Sequence, residues 1–125
     1  MADMQTQMQA LSEEFQKLQT ELDGLIEARQ KLESQQQENQ GVQKEFNSLG
    51  DDANIYKLIG PVLLKQEKNE ALMAVNGRLD FIEKEIKRIE GQIKENQDKS
   101  DKLRAEILQY QSQMQQQAPA ASASA

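Results

Sequence analysis

Two long parts of the chain carry apolar residues at alternating steps of four and three, and this spacing restricts the fold more than any other feature. The first series runs Met4, Met8, Leu11, Phe15, Leu18, Leu22 and Leu25. The second runs Leu72, Val75, Leu79, Ile82, Ile86, Ile89, Ile93, then polar Asn96 and Ser100, then Leu103, Ile107, Tyr110 and Met114. Such spacing keeps one stripe of a helix apolar. It predicts two coiled-coil helices, over about residues 3–49 and 69–116.

The first stripe becomes less regular toward its C-terminal end. It reaches Phe46, but Val42 and Leu49 lie one position away from it, which predicts a register slip near Gly41. Gly50, followed by two aspartates, is a typical signal for the end of a helix. Several stripe positions are polar, and we interpret them as residues that fix the register rather than as ligands: Gln36, Asn39, Asn96 and Ser100.

The two helices are expected to pair with each other in antiparallel fashion. Facing residues in such a pair share a constant sum of residue numbers, as Leu18 with Leu103 and Leu32 with Ile89 do. The midpoint of these pairs falls at Gly60-Pro61, a dipeptide typical of turns. The sequence therefore predicts a mainly α domain over residues 1–117, a helical hairpin with both termini at one end. Residues 118–125, rich in Ala and Ser, are expected to form a disordered tail.

The connection between the helices reads IYKLIGPVLLKQ at residues 55–66 and has a different character. Two short apolar runs flank Gly60-Pro61, which predicts a β-hairpin over about residues 54–66. An isolated two-stranded hairpin is marginal in water, and its open edges recruit other strands. We therefore expect an assembly element whose copies from several chains form an oligomeric β-barrel body. Its predicted contact residues are Ile55, Tyr56, Leu58, Ile59, Gly60, Pro61, Val62, Leu63 and Leu64. A hairpin folded against the base of its own helices is the alternative.

Composition excludes several classes of function. The net charge of −6 opposes binding to nucleic acid, whose affinity for proteins comes from Lys and Arg. The chain has no Cys and no His, so we expect no catalytic thiolate, no imidazole base, no zinc site and no cofactor. No apolar run approaches the ~20 residues that span a bilayer, and the N-terminal segment lacks the apolar stretch of a signal peptide. We expect a cytoplasmic protein that contacts no membrane and is not an enzyme.

The central segment also resembles a known family. YKLIGPVLLKQE at residues 56–67 is similar to the hairpin of β-type prefoldin subunits, and RLDFIEKEIKRIE at residues 78–90 is similar to the start of their second helix. RQKLESQQQEN at residues 29–39 is further similar to eukaryotic members of that family. Gly77 departs from the helix-favouring residue expected at its position, at a cost of about 1 kcal/mol relative to Ala.

This resemblance implies a cytoplasmic heterohexamer of two α-type subunits and four β-type subunits, this chain being one of the four. It implies capture of unfolded polypeptides, such as actin and tubulin, at the coiled-coil tips without ATP. The clients would then pass to the cytosolic chaperonin. A structural coiled-coil scaffold or tether is the alternative, since the helical pattern alone fits it almost as well.

If the tips bind clients, apolar side chains near both termini must be accessible. The candidates are Met4, Met8, Leu11, Phe15, Ile107, Leu108, Tyr110 and Met114. Methionine suits this role because its side chain is flexible and polarisable. Leu108 lies outside the strict stripe and is the best single candidate for exposure. These residues could equally be ordinary members of a coiled-coil stripe, and the sequence leaves both interpretations open.

Overall fold

The computed structural model describes the backbone of residues 2–123 and the side chains of residues 3–116. Helix α1 spans Ala2–Ser48, strand β1 spans Ile55–Ile59, strand β2 spans Val62–Gln66, and helix α2 spans Lys68–Ala123. The predicted mainly α fold, with two long helices joined through a β-hairpin, is confirmed. Helix α2 continues past the expected end near residue 116 and into the segment expected to be a disordered tail. Residues 124 and 125 lie outside the described part, and disorder of the tail stays a prediction.

The chain divides into two units. The terminal unit combines Met1–Glu27 with Gly91–Ala125, so both ends of the sequence belong to it. The hairpin unit is Ala28–Glu90 and contains both strands. In each unit a hydrogen bond joins a segment of α1 to a segment of α2. Asn96 Nδ2 donates to Leu18 O at 3.1 Å in the terminal unit. Gln43 Nε2 donates to Asn76 Oδ1 at 2.6 Å in the hairpin unit.

The apolar stripes form the core, and α2 supplies its buried layer. Helix α2 contributes the buried apolar residues Ala71, Val75, Ile82, Ile86, Ile89, Ile93 and Leu103, all but Ala71 being members of its stripe. The α1 stripe is half-buried along its whole length. Two helices alone cannot fully enclose both stripes, and the α2 stripe is the more deeply buried of the two.

The predicted register slip near Gly41 is wrong. Gln43 and Phe46 stay half-buried in strict heptad spacing, whereas Val42 is 41 % exposed. The polar Gln43 is retained in the stripe because its amide is hydrogen-bonded to Asn76 on the facing helix. The apolar Val42 beside the polar Gln43 therefore does not mark a change of heptad register.

Helix α1 ends where the sequence predicts. Ser48 is its last residue, and a turn follows in which Ala53 N donates to Gly50 O at 3.0 Å. Lys68, the first residue of α2, donates from Nζ to Leu49 O at 2.7 Å. The positive charge of Lys68 lies at the C-terminal end of α1, where the helix dipole is negative, and this placement stabilises the helix. It also joins the end of the first helix to the start of the second.

A tight turn connects the two strands. Ile59 pairs with Val62, which leaves Gly60 and Pro61 as a two-residue loop, and Gly60 has φ 59°. A type I′ turn needs positive φ at both loop residues, which proline cannot adopt, so this is a type II′ turn. Glycine at the first loop position meets the requirement of that turn without steric strain. The fold-back point predicted from the helix pairing is confirmed.

Candidate functional site

The hairpin has two faces, and both are apolar. Cross-strand pairing places Leu58 opposite Leu63, and Tyr56 opposite Lys65, on one face, which we call the Leu58 face. The other face, called here the Ile59 face, carries Ile59 opposite Val62. It also includes Ile55, Lys57, Leu64 and Gln66. Neither strand alternates strictly between apolar and polar residues, as it would if one face of the sheet were solvated.

Almost none of this apolar surface is covered by the chain itself. Exposed fractions reach 68 % for Leu58 and 61 % for Leu63, and only Ile55 is buried. The alternative of a hairpin folded against its own helices is therefore wrong. The remaining apolar residues of the predicted assembly element are also exposed: Tyr56, Ile59, Val62 and Leu64. Exposed apolar surface of this extent marks an interaction site.

Each strand also has a free edge. Within the described residues the sheet contains only β1 and β2, so each strand pairs on one side alone. The other side presents N–H and C=O groups that can pair with a strand from another chain. Open edges and two apolar faces together fit a hairpin that becomes part of a larger sheet.

A second exposed apolar surface lies in the terminal unit, in an open groove of about 590 Å³. Phe15, Ile107 and Leu108 provide its apolar lining, and Leu108 is 59 % exposed. Polar side chains form the rest of the groove: Ser12, Gln16, Gln19, Arg104 and Gln111. We call this surface the tip groove. It brings together three of the residues that the sequence analysis selected.

The other predicted client-contacting residues lie outside the tip groove. Met4, Met8, Leu11, Tyr110 and Met114 are half-buried members of the helical stripes. The hydroxyl of Tyr110 donates to the side-chain carbonyl of Gln7, which holds the two helices together near the termini. The polar lining of the groove was not predicted from the sequence. These polar residues lie next to stripe residues, on the same side of the helix pair as Leu108. Their closeness to the stripe was the feature of the sequence that could have identified them.

The opposite flank of the terminal unit has a different chemistry. A groove of about 510 Å³ there contains Leu18 and Leu103, but its remaining lining is charged. These charged residues are Glu14, Lys17, Glu21, Lys99, Lys102 and Glu106. The terminal unit therefore presents one flank of apolar and amide groups and one flank of mixed charges.

A buried polar pair interrupts the apolar stripe of the terminal unit. Asn96 and Ser100 are 5 % and 6 % exposed. Asn96 donates to Leu18 O, and Ser100 Oγ donates to Asn96 Oδ1 at 3.4 Å. A buried amide that bonds across a helix pair restricts sliding of one helix past the other, at a cost in stability. The structure supports the interpretation of these residues as register-fixing.

We expect Asn96→Leu to raise the free energy of unfolding by about 1–2 kcal/mol, because an apolar side chain replaces a desolvated amide. Asn96→Ala should lower it, since that change leaves a cavity and removes the hydrogen bond. Urea unfolding followed by far-UV circular dichroism at one fixed protein concentration compares the two variants. A loss of stability in Asn96→Leu would contradict the assignment of a purely register-fixing role.

The described side chains contain no group of acidic residues that could hold a metal ion. The one resolved perturbation of a carboxyl group is at the surface, where hydrogen bonds from Arg88 lower the pKa of Glu85. Arg88 Nη2 donates to Glu85 Oε2 at 2.9 Å, and this contact raises the pKa of Arg88 in turn. Such an ion pair between residues three apart stabilises one turn of the helix.

The family model described as prefoldin subunit matches residues 9–117. The chain belongs to the prefoldin family. Its match covers the hairpin, both strands and nearly all of both helices. The resemblance inferred from the hairpin sequence is therefore confirmed. Members of this family are chaperone subunits and not enzymes, and the chain is accordingly a subunit of a prefoldin complex.

Relatives and solved structures agree with this assignment. Prefoldin subunit 6 of Saccharomyces cerevisiae is 48 % identical over 101 residues, covering 81 % of this chain and 89 % of the relative. Prefoldin subunit 6 of Homo sapiens is 41 % identical over 112 residues, covering 90 % and 87 %. The crystal structure of the prefoldin beta subunit from Thermococcus strain KS-1 superposes with a TM-score of 0.77 at 28 % identity, over 81 % of this chain and 89 % of that one. The β-type and the eukaryotic character of the chain are both supported.

Neither of the two helices, over the residues described, has an apolar stretch long enough to cross a lipid bilayer.

Proposed function

We propose that this chain is a β-type subunit of a cytoplasmic prefoldin hexamer that holds unfolded polypeptides, such as actin and tubulin, at its tips. Clients are then delivered to the cytosolic chaperonin. The chain uses no ATP and catalyses no reaction. The hexamer combines this chain with two α-type subunits and three further β-type subunits, and it binds neither nucleic acid nor membrane.

Assembly takes place through the hairpin. Its two apolar faces and two open edges are covered when the strands join those of neighbouring subunits into one barrel. Each Leu or Ile side chain that moves from water into such a body contributes about 1.5–3 kcal/mol. The nine predicted contact residues all lie on the strands or in the turn between them, and all but Ile55 have surface free for a neighbour. The uncovered hairpin is also what favours a chaperone subunit over a tether, since a tether needs no apolar sheet.

Client capture takes place in the tip groove, and this groove carries the proposal. Unfolded chains expose apolar side chains together with unpaired main-chain N–H and C=O groups. Phe15, Ile107 and Leu108 supply apolar contact, while the glutamine amides at the rim both donate and accept hydrogen bonds. Because an amide pairs with any peptide group, the groove accepts many sequences. The half-buried methionines Met4, Met8 and Met114 add adaptable surface when the helix ends open.

The variant Leu108→Gln tests client capture within the assembled hexamer. Leu108 is exposed, so its replacement leaves the coiled coil intact while removing the most accessible apolar group of the groove. We expect the hexamer concentration needed for half-maximal suppression of aggregation of unfolded actin to rise roughly three- to tenfold.

Ile26→Gln is the matched control. Ile26 is 41 % exposed on α1 of the same unit and takes no part in the tip groove. Suppression by this variant should equal that of the unmodified hexamer. Equal suppression by the Leu108 variant, in a hexamer of normal mass, would contradict client binding in the groove.

A further inference from the structure

A second apolar notch lies in the hairpin unit, away from the strands. Ala74, Gly77 and Phe81 follow one another at helical spacing along α2 and line an open groove of about 500 Å³. Phe81 lies outside the apolar stripe of α2, and its aromatic ring is 64 % exposed. Gln35 and Asn39 of α1 form the facing wall, where Asn39 Nδ2 donates to Gln35 O at 2.7 Å. We call this surface the Phe81 notch.

Packing within the chain does not account for Gly77. A Cβ atom added there would meet nothing within 4 Å, and Gly77 does not have a positive φ. Glycine is the poorest helix former except proline. Gly24, Gly41 and Gly91 are equally open, but among these four glycines Gly77 alone lines the notch, where the missing side chain leaves the floor open to a group from outside the chain.

The charge at the rim indicates the chemistry of that group. Arg78 lines the notch and forms no ion pair among the residues described. Two other exposed cations of α2 are paired within the helix, Lys87 with Glu83 and Arg88 with Glu85, whereas the guanidinium of Arg78 is available to a carboxylate from outside the chain. A partner that places an apolar side chain against Phe81 and a carboxylate against Arg78 would match the notch in shape and charge.

We infer that the Phe81 notch is a second contact between subunits, which receives an apolar side chain and a nearby carboxylate from the neighbouring prefoldin subunit. Gly77 lies roughly 14 Å along α2 from its first residue, at ~1.5 Å per residue, in the same unit as the hairpin. The helices of a subunit that joins through its own hairpin would also begin near the strands, which makes a helix or strand end of that neighbour the expected occupant of the notch. The inference rests on the proposed assembly through the hairpin and extends that interface onto the base of α2.

Two variants probe the notch in hexamers reconstituted with the other prefoldin subunits. Gly77→Gln fills the floor with a helix-favouring residue, and Phe81→Gln removes the exposed ring. Gly91→Gln is the matched control, because Gly91 is also a glycine of α2 at which an added Cβ meets nothing within 4 Å. Both glycine substitutions should raise the stability of the isolated chain by a similar amount.

Dissociation on dilution, followed by native mass spectrometry, gives the result. We expect both notch variants to dissociate at about tenfold higher concentration than the unmodified hexamer, whereas Gly91→Gln dissociates like the unmodified one. Gly77→Gln would thus stabilise the chain and weaken the complex. Unchanged dissociation of the notch variants would overturn the inference. So would loss of client or chaperonin binding by hexamers that dissociate normally, since the occupant would then be another partner.

The test separates this inference from the proposed function on which it rests. Failure of the notch variants to weaken the complex leaves hairpin assembly and client capture standing. Whether the hairpin is needed for assembly is tested separately, by measuring the mass of the complex after substitution of residues on the Leu58 face.

Discussion

Replacing Leu58 and Leu63 together by glutamate is expected to dissociate the prefoldin complex that contains this subunit. The two residues face each other across the strands and are among the most exposed apolar residues of the hairpin. Their loss removes about 3–6 kcal/mol of burial, taking 1.5–3 kcal/mol for each. The glutamates would in addition repel each other and lose water on entering an apolar body. Association should weaken by at least about 1,000-fold, so the free subunit is recovered instead of the hexamer.

The mass of the complex co-purified with the other subunits measures this effect. Val42→Glu is the control, since Val42 is an exposed apolar residue of the hairpin unit that lies outside both strands and the Phe81 notch. Far-UV circular dichroism should show unchanged helix content in both variants. A complex of full mass that contains the double variant would exclude the Leu58 face as part of the interface.

Deletion of residues 1–15 is expected to remove most of the client-holding capacity that this subunit contributes. It takes away Ser12 and Phe15 from the tip groove, together with Met4, Met8 and Leu11. The hairpin unit is untouched, so the hexamer should retain its normal mass. Suppression of actin aggregation should weaken by about tenfold or more at sites served by this subunit, a larger effect than that of Leu108→Gln.

Deletion of residues 118–125 is the control for this truncation. It shortens the C-terminal end of the chain, which belongs to the same unit, without removing any predicted client-contacting side chain. Its hexamer should suppress aggregation like the full-length protein. If the N-terminal deletion also leaves suppression unchanged, clients are held elsewhere on the complex.

The positions of the helices and strands could be predicted from the sequence because each follows from local spacing. Heptad steps specify the helices, and the apolar runs beside Gly60-Pro61 specify the strands. The turn type could not be predicted, since it depends on the φ angle of Gly60. The register near Val42 could not be predicted, because the stripe position there is occupied by the polar Gln43, which is hydrogen-bonded to Asn76, while the apolar Val42 lies beside the stripe.

The candidate surfaces were predicted less completely than the fold. Leu108 stood out because it lies next to Ile107 and outside the stripe. The glutamine and arginine lining of the tip groove depends on which flank of each helix faces the other, and stripe positions alone do not reveal it. Phe81 was missed for a related reason: a single apolar residue away from the stripe gains meaning only when the smooth surface of Ala74 and Gly77 is found beside it.

The central claim is that the hairpin has apolar faces that its own chain leaves open and that neighbouring subunits cover. Amide hydrogen exchange of residues 55–66, compared between the dilute isolated chain and the assembled hexamer, tests it most directly. We predict fast exchange of these amides in the isolated chain and at least about 100-fold slower exchange in the hexamer. Equal and strong protection of the hairpin in an isolated monomer would contradict the account.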